Sequence, residues 1–412
     1  MTRDYDIIIL GGGIVGAAMA LALENTALNI ALVDAGSLEV SSGTLSDDKF
    51  DPRVCALTEA SINLLKHLGV WEHIHSQRAC PYSGMYVWDA AGTGSISFSA
   101  SELNVHHLGH IVENSIIRNA LLSRLLKSDI QLLSGIEIQG LRQGKNDGVS
   151  LRLWDDSQLH TRLLIAADGA GSRARYWAGI PMREWDYLHH AVVTTVEIEE
   201  PHEGTAWQIF LDTGPLAFLP LPSSSDGRHF CSIVWSLVPD EARRIMKLPD
   251  KQFLATLGST IEGRFGSIIS AGERLCHPLR QRHARQYYRG QVVLIGDAAH
   301  TIHPLAGQGA NLGLLDVASL TEEIKRAQSR EEDFSAPHIL DRYQRSRESH
   351  NLAMAGIMEG LQRLFHSDHM LFRWLRNTGL NMADRIPLLK QEIVSRAMGL
   401  RGDLPEISRN SK

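Results

Sequence analysis

The residues near the start of the chain have the spacing of a phosphate-binding turn. Gly11-Gly-Gly13-Ile-Val-Gly16 follows a short apolar run and precedes an Ala-rich segment with helical character. In this pattern Gly11 allows a tight turn, Gly13 lets the backbone approach a pyrophosphate, and Gly16 lets a helix pack close to a strand. The N-terminus of that helix adds unpaired N–H groups and the positive end of a dipole. The spacing therefore predicts a site for the phosphates of a dinucleotide.

An acidic residue follows at the distance that such a site requires. Asp34 lies 21 residues after Gly13 and ends a second apolar run that begins at Asn29. A carboxylate in this place accepts hydrogen bonds from ribose hydroxyls and repels a 2′-phosphate. Strand, turn, helix, strand and carboxylate together predict one βαβ unit. These residues do not distinguish FAD from NAD.

Two later segments indicate FAD and not NAD, because they resemble motifs of known flavoproteins. Residues 168–175, DGAGSRAR, resemble the DGxxSxxR motif of the single-component aromatic flavoprotein hydroxylases. Residues 296–311, GDAAHTIHPLAGQGAN, resemble the second flavin fingerprint of the same proteins. With the glycine turn, the motifs stand in the order of the class A flavoprotein monooxygenases.

The resemblance implies which residues bind FAD. Asp297 ends a predicted strand, where its carboxylate would accept hydrogen bonds from the ribityl chain, and the glycines of the last motif would let backbone N–H groups approach the ring. Arg53 matches an arginine that contacts the flavin, with a surface arginine as the alternative, and Glu113 or Asn114 is either a polar FAD contact or a helix cap. The implied contacts are Gly11, Gly13, Gly16, Asp34, Arg53, Glu113, Asp168, Gly169, Arg175, Gly296, Asp297, Pro304, Gly307, Gly309 and Asn311.

The similarity narrows further to one family. Residues 109–114, 189–190, 217–221, 232–236, 296–309 and 397–400 resemble the ubiquinone-biosynthesis hydroxylases, most closely those of the 2-octaprenylphenol type. The resemblance implies ring hydroxylation of a polyprenyl phenol with NAD(P)H and O₂, through a flavin C4a-hydroperoxide. Asp34 departs mildly from the family, because flavoproteins more often have Glu there.

The resemblance also implies where the other reactants bind. NAD(P)H would bind transiently in the cleft, with Arg173 and Arg175 as candidate pyrophosphate contacts or, alternatively, as charges that cap a helix. No side chain is assigned as catalytic because the flavin carries the chemistry. His300 is the one candidate: it would steady the flavin loop, polarise a substrate phenol or make a structural hydrogen bond.

Composition excludes several other functions. The chain has 412 residues and a net charge of −6, which argues against nucleic acid as the main partner. Its four cysteines form no CxxC pair, and scattered thiols of this kind are typical of a reducing, cytoplasmic compartment. Histidines at 106, 107, 110, 189, 190, 300 and 303 could suggest a metal, but oxygen chemistry is already assigned to FAD, so we expect no metal.

The elements that position these motifs predict an α/β protein. Runs rich in Val, Thr, Phe and Trp between residues 191 and 237 indicate an antiparallel sheet inserted into a Rossmann-like FAD-binding domain. Residues 54–69 and 111–126 have helical patterns, the chain is mostly helical from 313 onward, and its last dozen residues are polar and expected to fray. The predicted boundaries are 1–80, 106–182 and 272–340 for the FAD-binding domain, 81–105 and 183–271 for the substrate domain, and 341–412 for a helical C-terminal region.

Several alternatives remain open at this point. The apolar residues of the inserted sheet would line a channel for a polyprenyl chain or fill an ordinary core. A helical apolar stripe from Met354 to Leu375 would pack in the core, dock a partner in a ubiquinone-biosynthesis complex, or contact a membrane peripherally. Other functions to weigh are a flavin-dependent reductase or dehydrogenase of a lipid, and a non-catalytic scaffold.

Overall fold

A computed structural model describes residues 2–41, 46–90, 92, 94–144, 148–301, 309–366 and 404–409. The α-helices in these ranges are α1 (Ile14–Ala22), α2 (Glu59–His67), α3 (Trp71–Arg78), α4 (Asn114–Leu125), α5 (Arg173–Trp177), α6 (Pro239–Lys247), α7 (Asp250–Thr260), α8 (Gly309–Ser329) and α9 (Pro337–His366). Short 3₁₀-helices span Ser101–Leu103, Gly296–Ala298 and Glu406–Ser408. The strands are β1 (Thr2–Leu10), β2 (Ile30–Asp34), β3 (Val54–Leu57), β4 (Cys80–Tyr82), β5 (Gly84–Asp89), β6 (Ser95–Ser99), β7 (Gly109–Glu113), β8 (Gln131–Ser134), β9 (Ile138–Gln143), β10 (Val149–Leu153), β11 (Gln158–Ala166), β12 (Met182–Ile198), β13 (Thr205–Leu211), β14 (Gly214–Leu221), β15 (His229–Leu237), β16 (Ile268–Ala271), β17 (Leu275–Ala284), β18 (Tyr288–Arg289), β19 (Val292–Leu294) and β20 (His300–Thr301).

The first sheet places the predicted nucleotide motifs at one edge. Its strand order is β18-β19-β11-β1-β2-β8, and β1 pairs in parallel with both β2 and β11. The central strands are buried apolar runs, as expected for a parallel sheet covered on both faces. Parallel strands end at the same edge, so the glycine turn after β1 lies beside the ends of β2 and β11. The predicted α/β class is confirmed.

Helices α1, α8 and α9 complete the main core. Buried residues of α1 and α8 join those of the first sheet in one apolar cluster, to which α9 contributes Ile339, Leu340 and Tyr343. Among the described residues, no helix has both the length and the apolar character needed to cross a bilayer.

The second sheet has the order β20-β17-β12-β15-β14-β13-β5-β6, with β16 beside β12. All of its pairs are antiparallel except β13 with β5. One face packs on α6 and α7, and the other contributes to a cluster with the small sheet β3-β7-β4. Strand β17 belongs to this second sheet although the predicted boundaries place residues from 272 in the FAD-binding domain. The boundaries themselves stay a prediction.

Two predicted helices begin later than expected. Residues 54–57 and 109–113 form strands that pair antiparallel, Val54 opposite Glu113, before α2 and α4 begin. Short apolar runs have no period that distinguishes a strand from a helix. The prediction of helix was therefore wrong for residues 54–57 and 111–113.

The end of the chain also differs from expectation. In residues 404–409, Pro405 and Ser408 are buried, Ile407 packs against the main core, and Asn63 of α2 donates to the Ser408 carbonyl at 3.4 Å. The expectation of a frayed end was wrong for these residues, because Pro405 and Ile407 pack against the rest of the protein.

Candidate flavin site

The glycines of the first motif divide into two kinds. Gly11 has φ of +106°, and a Cβ there would lie 2.4 Å from the Ala167 carbonyl oxygen. A Cβ on Gly16 would lie 1.8 Å from the Gly11 oxygen, so both positions exclude side chains for packing reasons. Gly13 is different, because within the described residues no heavy atom outside its immediate chain neighbours and the backbone of its own helix lies within 4 Å of its Cβ position. The open space at the N-terminus of α1 is where a pyrophosphate would approach the backbone.

An open cavity of about 450 Å³ lies beside this turn. It is lined by residues from four separate parts of the chain, including Gly13, Asp34, Asp168, Gly169 and Arg173. The structure therefore brings together the glycine turn, the predicted ribose carboxylate and the second motif at the carboxyl edge of β1, β2 and β11. This convergence fits a bound dinucleotide.

Asp34 shapes the turn from within. Its Oδ2 accepts a hydrogen bond from the Gly12 N–H, and its Oδ1 accepts one from the Gly36 N–H at 2.6 Å. The carboxylate thus faces the cavity with both oxygens already anchored to backbone. Contact with a ribose hydroxyl stays a prediction, which the remaining lone pairs allow.

The second motif forms a self-supporting turn before α5. Asp168 accepts hydrogen bonds from the Ser172 hydroxyl at 2.5 Å and the Ala174 N–H at 3.2 Å, and Ser172 caps the helix through the Arg175 N–H. Gly169 has φ of +79°, with open space at its Cβ position. Asp168 is therefore occupied in holding the loop that borders the cavity.

The two arginines of this motif have separate roles. Arg175 is buried and donates to the carbonyls of Ala298 at 2.8 Å and Ala170 at 3.0 Å, which ties the second motif to the third. Burial lowers the pKa of its guanidinium, and its location leaves it committed to backbone carbonyls. Arg173 is half-exposed, pairs with Glu137 at 2.7 Å and lines the cavity. Of the two candidate contacts for NAD(P)H, only Arg173 faces open space.

The third motif packs against the start of α1. Gly296 has φ of +59°, and a Cβ there would lie 3.1 Å from the Val15 side chain. Asp297, the next residue, has a solvent-accessible side chain in a recess close to Cys55. Desolvation raises the pKa of Asp297, and no hydrogen bond from the described residues offsets this effect. A partly desolvated acceptor without a donor is suited to bind hydroxyl groups of a ligand.

His300 belongs to a buried ionic network that the sequence did not reveal. Its Nε2 lies 2.6 Å from Oδ2 of Asp316, whose Oδ1 accepts a hydrogen bond from Arg347 Nε at 2.8 Å. Burial alone would raise the pKa of Asp316, but His300 and Arg347 lower it to about 2. Asp316 is therefore a carboxylate at neutral pH. A single acid inside the apolar stretch of α8 was the available signal, because buried charges require partners.

Two further predicted contacts have different surroundings. Arg53 has a side chain that is 67% exposed and lies 4.0 Å from Asp51. Glu113 is buried, pairs with Arg78 at 3.1 Å and accepts the Asp51 N–H at 2.6 Å. Burial raises the pKa of Glu113. Its protein partners show a structural use, while flavin contact by Arg53 and Glu113 stays a prediction.

The last motif is described only in part. Asn311 is buried, accepts from the Thr58 N–H at 3.0 Å and donates to the Ala56 carbonyl at 2.8 Å, so it ties α8 to the β3–α2 turn. Gly309 begins α8 and has open space at its Cβ position. Pro304 and Gly307 lie outside the described residues, as does His303.

Large residues of the second sheet are buried on both of its faces. On the face that packs on α6 and α7, Trp88, Phe218 and Trp235 pack with Phe253 of α7 in one cluster. The opposite face buries Phe210, Leu219 and Phe230 in other clusters, and it also carries smaller or more polar residues: buried Thr195, Ala217, Ser232 and Ser236 and half-buried Val193 and Val234. The core alternative therefore explains the large aromatic residues of the first face.

Comparison with known proteins agrees with this geometry. Residues 4–356 match the family described as FAD binding domain. The chain is 34% identical to the ubiquinone biosynthesis monooxygenase COQ6, mitochondrial, of Xenopus tropicalis, with 95% of this chain and 92% of that protein covered. It is 33% identical to the 3-demethoxyubiquinol 3-hydroxylase of Escherichia coli strain K12, with 97% and 99% covered.

A solved structure shows the same fold at lower identity. The p-nitrophenol 4-monooxygenase PnpA from Pseudomonas putida DLL-E4 superposes with a TM-score of 0.76 at 18% identity, covering 98% of this chain and 99% of that one. The family match shows that the chain contains an FAD-binding domain. The chain belongs to the FAD-dependent monooxygenases, in the family of the ubiquinone-biosynthesis hydroxylases.

Proposed function

We propose that this protein hydroxylates the aromatic ring of a polyprenyl phenol of the 2-octaprenylphenol type, with NAD(P)H and O₂ as co-substrates. The observation that carries the proposal is the meeting of the three motifs at one edge of the first sheet, with the second sheet continuing from it through β17 and β20. The names of the curated relatives support ubiquinone biosynthesis as the pathway.

The division of labour follows from the side chains. FAD, when bound, supplies the chemistry of NAD(P)H oxidation and O₂ activation, so the protein must bind, orient and exclude water. The open backbone at Gly13 would receive the pyrophosphate, and Asp297 would hold hydroxyls of the ribityl chain. Gly309 would let backbone N–H groups at the start of α8 approach the ring.

The proposed substrate surface is the face of the second sheet that lies opposite α6 and α7. Ala217 and Leu219 of β14 and half-buried Val234 of β15 belong to the apolar cluster that this face forms with the small sheet, and we expect the prenylated ring to bind along the border of that cluster. Ser232 and Thr195, opposite each other on β15 and β12, have buried hydroxyls without a hydrogen-bond partner in the described chain. Such hydroxyls are available to a phenol oxygen, since a buried polar group gains by finding a partner.

The substrate dissolves in lipid, so we further propose that the protein takes it from a membrane surface as a peripheral member of a biosynthetic complex. The apolar stripe that would serve this contact begins in α9, and its residues 367–375 lie outside the described residues. Flotation of the purified holoprotein with liposomes containing the phenol tests this step, and absence of the protein from the lipid fraction would contradict it.

Mass spectrometry of quinone intermediates in a deletion strain tests the substrate. We expect a polyprenyl phenol to accumulate, wild-type protein to restore ubiquinone, and the Asp297→Ala variant to fail and to purify without its yellow colour. Accumulation of a demethoxyubiquinol-type compound would assign a later ring position. Unchanged ubiquinone would contradict the proposal.

A further inference from the structure

The segment that carries Asp297 is held from two sides by buried charged groups. On one side, Asp316 Oδ2 accepts the Gly296 N–H at 2.9 Å and lies 2.6 Å from His300 Nε2. On the other side, Arg175 donates to the Ala298 carbonyl at 2.8 Å. One carboxylate oxygen therefore binds both ends of the five-residue stretch around Asp297.

The carboxylate of Asp316 is itself held by α9. Arg347 donates to its Oδ1 at 2.8 Å, and Asn351 Nδ2 lies 3.5 Å from the same oxygen. Asn351 also donates to the Tyr287 hydroxyl at 2.9 Å, which lies 3.0 Å from His283 of β17. The chain of contacts thus runs from the C-terminal helix to the Asp297 segment and on to the second sheet.

The three groups of this ionic network are all buried. Asp316 is completely buried, and Arg347 and His300 are 2% exposed. A buried ion pair is weak evidence for added stability, because desolvation offsets much of the attraction, but it restricts the groups that it joins to one arrangement. The arrangement restricted here is the backbone on either side of the predicted ribityl contact.

We propose that Asp316, with Arg347 as its counterion, is a positioning residue for the flavin segment. It acts through the Gly296 N–H and His300, and it makes the placement of Asp297 depend on the docking of α9 against α8. The proposal rests on flavin binding at this segment and not on the identity of the aromatic substrate.

The chain offers a matched control on the same pair of helices. Glu323 of α8 accepts a hydrogen bond from Arg342 of α9 at 2.6 Å and pairs with Arg326 at 2.7 Å, and among the described residues none of its hydrogen bonds or ion pairs goes to residues 296–300. Glu323→Gln removes an ion pair between α8 and α9 while leaving the Asp297 segment untouched. Any effect shared by both variants reports helix packing alone.

The test compares Asp316→Asn with Glu323→Gln in three measurements. These are the FAD dissociation constant of the reconstituted protein, the visible circular dichroism and midpoint potential of the bound flavin, and the melting temperature of the apoprotein. We expect Asp316→Asn to weaken FAD binding at least tenfold and to change the flavin spectrum and potential. We expect Glu323→Gln to keep FAD affinity within about twofold and the wild-type spectrum, whatever its melting temperature.

A folded Asp316→Asn protein with wild-type affinity, spectrum and potential would overturn the proposal. If that variant does not fold, His300→Gln decides, because it retains the Asp316–Arg347 pair and the Gly296 hydrogen bond and changes only the contact between His300 and Asp316. An altered flavin spectrum with weaker binding then supports the proposal, and wild-type values overturn it. These readouts contain no phenol, so failure of the substrate assignment leaves them unchanged.

Discussion

Replacing Gly13 with alanine separates the cofactor-binding use of the glycine turn from its folding use. Gly13 is the N-cap residue of α1 with φ of −75° and ψ of −174°, which alanine adopts without strain, and the space around its Cβ position is open. The apoprotein should lose only the advantage of glycine over alanine at an N-cap, roughly 1 kcal/mol or less of unfolding free energy. Urea unfolding of the apoprotein measures this loss.

The same methyl group would stand where a pyrophosphate reaches the N-terminus of α1. A hydrogen bond to a charged group contributes roughly 1.5 to 3 kcal/mol, so losing two such bonds costs roughly 3 to 6 kcal/mol. At about 1.4 kcal/mol for each factor of ten, FAD affinity should fall by roughly 10² to 10⁴. Titration of the apoprotein with FAD, followed by flavin fluorescence, measures the dissociation constant.

Gly16→Ala is the control for packing. Its Cβ would lie 1.8 Å from the Gly11 oxygen, so this variant should lose roughly 1 to 3 kcal/mol of stability as well as FAD binding. Wild-type FAD affinity in Gly13→Ala would contradict pyrophosphate binding at Gly13, because the open space beside this residue would then have no role in binding. A stability loss equal to that of Gly16→Ala would refute it too.

Two other predictions follow from the ionisable groups of the site. Desolvation raises the pKa of Asp297 in the folded apoprotein above its ordinary value of 3.8. The charged carboxylate therefore lowers the free energy of unfolding of the apoprotein. This loss of stability grows as the pH rises above 3.8. Asp297→Asn apoprotein should therefore melt higher than wild type at pH 7 and equally at pH 4, while binding FAD more weakly; a lower melting temperature at pH 7 would contradict this. Burial raises the pKa of the Cys55 and Cys80 thiols to about 12, so iodoacetamide at pH 8 should leave both unmodified in the native protein and label them after unfolding, as mass spectrometry of peptides would show. Rapid native labelling of Cys55 would contradict its burial beside Asp297.

The parts of the site that sequence predicts are those set by local spacing. Gly13, Asp34 and Asp168 each follow a short apolar strand, and parallel strands end at one edge, so their convergence follows from the pattern. Gly16 is equally local, because its Cβ would meet the carbonyl oxygen of Gly11, whereas the close contact of Gly11 with Ala167 depends on the pairing of β1 with β11.

The parts that sequence misses depend on tertiary contacts. Asp316 and Arg347 are 31 residues apart on separate helices, and only the packing of α9 on α8 brings them together. The strand character of residues 54–57 depends on pairing with 109–113, which no local period reveals. Alternation in β14 and β15 predicts two faces for the second sheet, but the position of α6 and α7 decides which face is the core.

The central claim is ring hydroxylation, and one isotope measurement tests it most directly. The FAD-loaded protein is given NADPH or NADH, a polyprenyl phenol and ¹⁸O₂ in a single turnover, and the products are analysed by mass spectrometry. If the protein is a ring hydroxylase, we expect one ¹⁸O atom in the new ring hydroxyl for each nicotinamide oxidised. An unlabelled oxidised lipid, or nicotinamide oxidation that yields only hydrogen peroxide under all substrate conditions, would contradict it.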